Sequence, residues 1–522
     1  MTTFSKSSQS KLDIRGETLQ QLRASVSSSA KMVADTRQLN QGDIFLAYPV
    51  GRAGAMRDGR PYIDQAIKKG AGAILFDPKN YQYANLSKQI PFLAVENLAN
   101  QAGFLSSEWY GNPSHQINVI GVTGTNGKTS VTQWLSQTLD TEKKAAVMGT
   151  LGIGFPGRLY SSGYTTPDAP RVQTELKQLV DQGANYLAME VSSHALDQGR
   201  VNGVQFACSV FTNLSQDHLD YHGSMLEYGN AKAKLFYEHS LKKAVLNLDD
   251  AFGKELAAEL LRTSKVEVWA YALNPTSLNE FQSSGSHFHH ISLRHHELVE
   301  HGYNCHIQFD TQAESLMYLP VLGEFNLSNG LAVIATLLAQ GLSLEEVRKR
   351  VARLQAVSGR MEMIGGDKEN APLVVVDYAH TPDALEKSLQ ALRPLANQRQ
   401  GNLWCVFGCG GDRDSSKRPL MGKVAQTFAD YVVITSDNPR SENPDDIIQM
   451  ISKGMSDSAH SNSVQLIADR AAAIMLAIRH ANPKDIVLVA GKGHESTQEV
   501  NGTRFEFSDQ AHIQLILGGS SA

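Results

Sequence analysis

Apolar residues along this chain fall into short continuous runs separated by longer stretches of helical periodicity. Such a pattern predicts strands buried on both faces and joined by crossover helices, the grammar of a parallel α/β sheet. Runs at 73–77 and 91–95 predict a small α/β domain, which a Gly-Asn-Pro-Ser turn at 111–114 separates from the next run at 119–122. Further runs at 145–148, 186–189, 209–211 and 244–246 are spaced mostly widely enough for intervening helices, and predict a doubly wound, mainly parallel sheet. Between 267 and 320 the rhythm changes to alternation, as in Cys305-His306-Ile307-Gln308-Phe309, which predicts an antiparallel insertion. A helix at 326–340 and a link at 357–360 lead to a last series of strands at 373–376, 403–407, 431–435 and 486–490. The expected architecture is therefore α/β in three domains, 1–112, 113–356 and 357–522, the middle one carrying the insertion and the last Rossmann-like. Ligands in open α/β sheets collect outside the carboxyl ends of strands, so the turns following these runs are where chemistry is to be sought.

Composition agrees with several cores: 522 residues, 42% apolar and 19% charged, rule out a disordered chain. With 48 basic and 53 acidic residues there is no general positive field for nucleic acid or an anionic membrane, so anionic ligands need local sites. No run approaches the 18 apolar residues of a membrane span, and the Ser-rich start, 1–12, has no signal-like apolar core; we expect a soluble cytoplasmic protein, monomeric, with mobility at 1–12 and 397–401. Four scattered cysteines, Cys208, Cys305, Cys405 and Cys409, suit a reducing compartment and read as packing. Seven of the 17 histidines lie between 267 and 320. Without Cys or Asp at ligand spacing they read more readily as a solvated hairpin than as a metal site.

Residues 121–130, Gly-Val-Thr-Gly-Thr-Asn-Gly-Lys-Thr-Ser, stand between an apolar strand and an amphipathic helix. There, backbone N–H groups and a helix N-terminus can surround phosphates, Lys128 can reach the β- and γ-phosphates, and a following hydroxyl can meet Mg²⁺, so ATP is the expected ligand. The generic phosphate-loop pattern wants glycine where Val122 stands. Glu190 ends one strand and His218 lies in the turn after another, where both could ligate a hard cation; equally, a carboxylate could cap the next helix and a histidine could be bonded in its turn.

The stretch Gly124, Thr125, Asn126, Gly127, Lys128, Thr129 resembles the nucleotide loop of the Mur ligase family, ATP-dependent amide-bond-forming enzymes of peptidoglycan synthesis. Glu190-Val191-Ser192-Ser193-His194, Asn213-Leu214-Ser215-Gln216-Asp217-His218, Gly323-Glu324-Phe325-Asn326 with Asn329, and Asp377-Tyr378-Ala379-His380-Thr381 are similar to further family motifs in the family's order. The resemblance covers essentially the whole chain and implies UDP-sugar, ATP and amino-acid domains in succession. It makes Lys128, Glu190, His218 and Lys232 catalytic, with Lys232 as a carbamate. It assigns Mg²⁺ to Thr129, Glu190, His218 and that carbamate, and ATP to 124–130 including Ser130, with Asn329 at the adenine, Arg360 at the phosphates and Asp377 at the ribose.

For the acceptor, UDP-N-acetylmuramoyl-L-alanyl-D-glutamate, the resemblance points to Asp35 and Thr36, with 51–53 as a further candidate beside an extra loop expected at 53–57, and to Thr165, Thr166, Ser192, Gln198 and Arg200. Asp437-Asn438-Pro439-Arg440 resembles the tetrad of family members that add meso-diaminopimelate, and Arg413, Gly491 and Glu495 complete that pocket by the same resemblance. A guanidinium can pair bidentately with the distal carboxylate that diaminopimelate has and lysine lacks. Taken alone, Asp-Asn-Pro-Arg reads as a turn with a surface arginine. Addition of L-lysine, folylpolyglutamate synthesis and a non-catalytic nucleotide-binding regulator are the other functions considered.

Overall fold

The computed structural model describes residues 5–52, 56–83, 90–140, 144–239, 241–281, 285–299, 301–310, 313–366, 371–456 and 463–518. They form two compact units, one made of residues up to 292 with 308–313 and 331–347, the other of 293–307, 314–330 and 348 onward.

In the first unit, Met32–Val33, Ile44–Ala47, Ala73–Phe76 and Phe92–Ala94 pair in that order as a four-stranded parallel sheet. A helix, Ser5–Ser25, precedes it. Of the segment expected to be mobile, residues 1–4 lie outside the described ones and 5–12 belong to this helix. Its sequence is polar and Ser-rich, without the apolar stripe that announces a surface helix. Of the extra loop expected at 53–57, residues 53–55 lie outside the described ones, and Arg57–Asp58 pairs antiparallel with Pro49–Val50.

The large sheet of this unit has parallel strands in the order Ala145–Gly149, Tyr186–Glu190, Asn118–Thr123, Cys208–Phe211, Lys243–Asn247 and Glu267–Ala272, with residues 288–292 paired beyond them. Most of these strand residues are fully buried, as the unbroken apolar runs required. The earliest strand in sequence lies between the third and the fourth, so the chain winds one way and then the other, and Asn118–Thr123 marks the switch point where a ligand crevice opens. A hairpin absent from the sequence reading, Gly152–Phe155 with Arg158–Tyr160, extends the edge antiparallel.

The second unit holds a six-stranded sheet ordered Glu362–Gly365, Leu373–Asp377, Ile486–Ala490, Leu403–Phe407, Tyr431–Ile434 and Val464–Leu466, parallel except for its first strand. Residues 397–401 end the helix Pro382–Arg399, with Gln400 left-handed (φ 57°) and Arg399 donating to the carbonyls of Pro483 and Lys484, so they are bonded where mobility was expected. A polar hairpin, Thr497–Val500 with Thr503–Glu506, was also unforeseen. The insertion strands Phe288–Val299, Gly302–Phe309 and Glu314–Leu319 follow one another through short turns, a connection that implies antiparallel pairing. His287, His295, His301 and His306 are exposed on these segments, while His289 Nδ1 pairs with Asp310 at 2.8 Å. All four cysteines are buried and unbridged.

Candidate active site

The phosphate loop leaves the central strand of the first unit. Gly124 has φ 150°, and a Cβ there would meet Thr212 Oγ1 at 1.9 Å, so only glycine lets the chain pass. Gly127, at φ 86°, starts the helix Lys128–Leu139, whose free N–H groups and dipole favour an anion. The neighbouring turn clamps the loop: Thr125 N donates to Asn213 O (2.8 Å), Asn126 N to Asn213 Oδ1 (2.9 Å) and Ser215 N to Thr125 Oγ1 (3.0 Å). Lys128 Nζ lies over the loop, donating to the carbonyls of Gly124 and Thr125 at 2.8 Å each. Ser130 is buried in the same first turn.

Glu190 ends the adjacent strand with 1% of its surface exposed. Its Oε1 accepts from Thr150 N (2.8 Å), and its Oε2 from Thr129 Oγ1 (3.0 Å) and Thr150 Oγ1 (3.2 Å). No Lys or Arg pairs with it among the described residues. A buried carboxylate beside a phosphate loop, compensated only by neutral donors, suits a hard divalent cation. Gly149 makes room for it, since a Cβ there would lie 2.2 Å from Glu190 Oε1. His218 is left-handed (φ 54°), and its ring contacts those of His194 (4.8 Å) and Tyr228 (6.1 Å) edge-on. Burial, aided by the charges of Lys128 and Lys232, lowers its pKa, favouring the neutral form whose lone pair can ligate. Lys232, on the helix Met225–Tyr237, is 1% exposed. Its Nζ donates to Gly124 O at 2.8 Å and sits 4.2 Å from the Tyr228 ring centroid. Burial and then the Lys128 charge push its pKa well below the usual lysine value, so a neutral, nucleophilic amine is accessible. Among the described residues no three His, Cys, Asp or Glu side chains gather as a metal-holding group. Of the residues that could join Glu190 in holding Mg²⁺, the Thr129 hydroxyl is in direct contact with its carboxylate.

The acceptor candidates form a second cluster next to Glu190. Thr165 Oγ1 lies 3.0 Å from Thr150 Oγ1, and Thr166 Oγ1 donates to Glu190 O at 2.8 Å while accepting from Ser192 N at 3.2 Å. Ser192 also caps the helix Ser193–Asp197 through Ala195 N. Arg200 donates through Nε (2.9 Å) and Nη2 (2.6 Å) to Gln198 Oε1 and through Nη1 (3.0 Å) to Thr166 O. In the four-stranded domain, Asp35 accepts from Arg37, which holds its carboxyl below the usual range, and Thr36 Oγ1 donates to Gln65 Oε1 at 3.0 Å.

In the second unit, the turns after three adjacent parallel strands converge. Asp437 and Asn438 are buried, and Asn438 Nδ2 donates to Glu495 Oε2 at 2.8 Å. Lys492, fully buried, donates to Glu495 Oε2 (3.3 Å), Asn438 Oδ1 (3.2 Å) and Thr497 O (2.7 Å). It was missed in the sequence, though it sits inside the motif that supplied Gly491 and Glu495. Gly491 has φ 115°, a conformation reserved for glycine. Arg440, left-handed at φ 52°, lays its guanidinium across the glycine turn by donating from Nη1 to Gly411 O at 2.7 Å; Pro439 O packs on Gly411, where a Cβ would meet it at 1.9 Å. The hairpin holds this tetrad in place: Arg440 N donates to Glu499 O (3.0 Å) and Gln498 Nε2 to Asp437 O (2.7 Å). Arg413 is exposed on the same turn. In this unit Asn329 Nδ2 donates to Asn326 Oδ1 (3.1 Å), the Arg360 guanidinium lies 4.6 Å from the Tyr378 ring centroid, and Asp377 accepts from Met361 N (3.0 Å) and Ser388 Oγ (2.8 Å).

Residues 122–337 match the Mur ligase middle domain and 359–493 the glutamate ligase domain of Mur ligases. A UDP-N-acetylmuramoyl-L-alanyl-D-glutamate–2,6-diaminopimelate ligase of Ralstonia nicotianae is 47% identical over 502 residues, 95% of this chain and 94% of its own. One of the same description from Pseudomonas putida is 45% identical over 493 residues, 94% of this chain and 95% of its own. A solved structure described as the same ligase superposes with a TM-score of 0.67 at 33% identity, covering 94% of this chain and 95% of that one.

Proposed function

The chain belongs to the Mur ligase family, and from that membership we propose that it couples cleavage of ATP to amide-bond formation between UDP-N-acetylmuramoyl-L-alanyl-D-glutamate and meso-2,6-diaminopimelate, a step in peptidoglycan precursor synthesis. A carboxylate oxygen of the D-glutamyl residue attacks the γ-phosphorus, the bond to ADP breaks, and an acyl phosphate forms. The free amine of the amino acid then adds to the acyl carbon, loses a proton, and expels phosphate from the tetrahedral intermediate. Little covalent work falls to the protein; it positions groups and balances charge.

The loop N–H groups of 124–130 and the Lys128 ammonium hold the terminal phosphates. Thr129, Glu190, His218 and Lys232 as its carbamate would hold Mg²⁺, which when bound neutralises phosphate charge. The low proton affinity of buried Lys232 supports the carbamate, because only a neutral amine adds CO₂. Asn329, Arg360 and Asp377 serve the adenine, phosphates and ribose, and Asp35 and Thr36 the uridine. Thr165, Thr166, Ser192, Gln198 and Arg200 serve the muramoyl dipeptide. Arg413, Asp437, Asn438, Pro439, Arg440, Gly491 and Glu495 hold the amino acid. These roles follow a division into domains at 1–112, 113–356 and 357–522.

The observation that carries the substrate choice is Arg440, whose guanidinium is fixed over the Gly410-Gly411 turn by a backbone carbonyl and has no carboxylate within ion-pair distance among the described residues. The matching test measures phosphate release from ATP and Mg²⁺ with UDP-muramoyl dipeptide. Release that depends on meso-diaminopimelate is expected. A preference for L-lysine, or release only with a folate and glutamate, overturns the assignment.

A further inference from the structure

Arg200 and Gln198 are oriented by a chain of hydrogen bonds that begins outside them. Arg52, on the strand-turn segment after Pro49–Val50, donates from Nε and Nη2 to the two carboxylate oxygens of Asp197 at 2.9 Å each, and from Nη1 to His222 O at 3.1 Å. Tyr221 OH donates to Asp197 Oδ2 at 2.9 Å. An ionised carboxylate only accepts, so the Tyr221 proton must point at Asp197 and its lone pair must face Gln198 Nε2, 3.0 Å away. The Gln198 amide oxygen then faces Arg200 Nε (2.9 Å) and Nη2 (2.6 Å), so the Tyr221 lone pair and the donor-only guanidinium demand the same orientation from opposite ends. The flipped amide would set NH₂ against the guanidinium, donor against donor. Arg200 reaches on to Thr166 O at 3.0 Å and, among the described residues, has no carboxylate within ion-pair distance.

We propose that Asp197, held by Arg52 and read through Tyr221, is a positioning residue that sets the hydrogen-bond polarity of Gln198 and so the plane in which Arg200 presents its free N–H groups to an anionic group of the acceptor. The inference rests on the reading of Gln198 and Arg200 as acceptor-binding. It also gives Arg52 a role different from contact with uridine, since its guanidinium is engaged by Asp197 and a backbone carbonyl. Asp197→Asn keeps the shape while its amide can donate to the Tyr221 oxygen, which turns the Tyr221 proton against Gln198 Nε2; flipping that amide would then set its NH₂ against the donor-only guanidinium of Arg200, so one bond of the chain is lost in either orientation. Tyr221→Phe cuts the chain without touching either charge.

Steady-state kinetics on the full-length enzyme, varying each substrate in turn, tests this. In both variants the KM for UDP-muramoyl dipeptide rises about tenfold or more, the loss of a well-aligned hydrogen bond to a charged group. The KM values for ATP and diaminopimelate stay within about twofold, and the double variant is no worse than the poorer single one, as links of one chain require. An unchanged acceptor KM in Tyr221→Phe, a parallel rise in all three KM values, or independent multiplication of the two effects overturns the proposal. Should Asp197→Asn fail to fold, Tyr221→Phe decides alone by the same criterion. Failure of the underlying functional reading is distinguishable, because the unmodified enzyme would then show no acceptor-dependent phosphate release.

Discussion

Arg440 combines a left-handed backbone with a guanidinium held by one carbonyl. Lysine at this position keeps the charge and loses the fork, so Arg440→Lys should raise the KM for diaminopimelate by about 10²-fold with little change in the KM for ATP, checked by the same phosphate-release assay. Lys232 is the second residue whose chemistry is decided by its surroundings. Lys232→Ala should lose activity, whereas Lys232→Glu should recover part of it, and bicarbonate should stimulate only the unmodified enzyme; full activity of the alanine variant at low bicarbonate would remove the carbamate from the mechanism. Both residues entered the sequence reading through the family resemblance, since Asp-Asn-Pro-Arg alone reads as a turn with a surface arginine and Lys232 alone carries no sign of a carbamate. Asp197 and Tyr221 did not, since their bond joins positions 24 apart that meet only in the folded chain. Lys492 escaped notice although its motif did not: a lysine between two glycines gives no sign in the sequence that it will be fully buried.

The elements that carry the site were legible where both faces of a strand are buried. The runs around 119–122, 186–189 and 486–490 are continuous in the sequence and fully buried in the fold. Elements with one wet face were lost: the helix Ser5–Ser25 and the hairpin at 497–506 are polar and lack period. Strand ends also impose steric limits. Gly149→Ala would drive a methyl against Glu190 Oε1, so we expect loss of ligase activity together with a lowered Tm, measured side by side. By contrast Asp168, which caps the helix Ala169–Asp181 through Arg171 N at 3.0 Å, should cost about 1 kcal/mol on Asp168→Ala in denaturant titration.

Across the whole molecule, the sequence could not show which histidines end up buried. Burial pushes His239 and His222 down to about 4, against about 6.5 in an unfolded chain. The unfolded state therefore binds more protons between those values, so their contribution is complete above about pH 6.5 and is lost as pH falls toward 4. His239, which donates from Nδ1 to Val204 O at 3.3 Å, should alone account for about 2 kcal/mol between pH 7 and pH 5. His239→Gln should flatten the pH dependence of Tm by a matching amount; an unchanged slope would show the ring already charged in the native state.

The hairpin at 497–506 has one more implication. Asn501 and Gly502 form its tip with φ values of 48° and 73°, and Asn501 N donates to Arg440 O at 2.6 Å, directly beneath the tetrad. Inserting or deleting a residue there would slip the ribbon's register and carry the arginine with it, leaving every motif residue unchanged. Combinatorial libraries aimed at new diamino acids would do better to vary this exposed tip than the buried signature it steers.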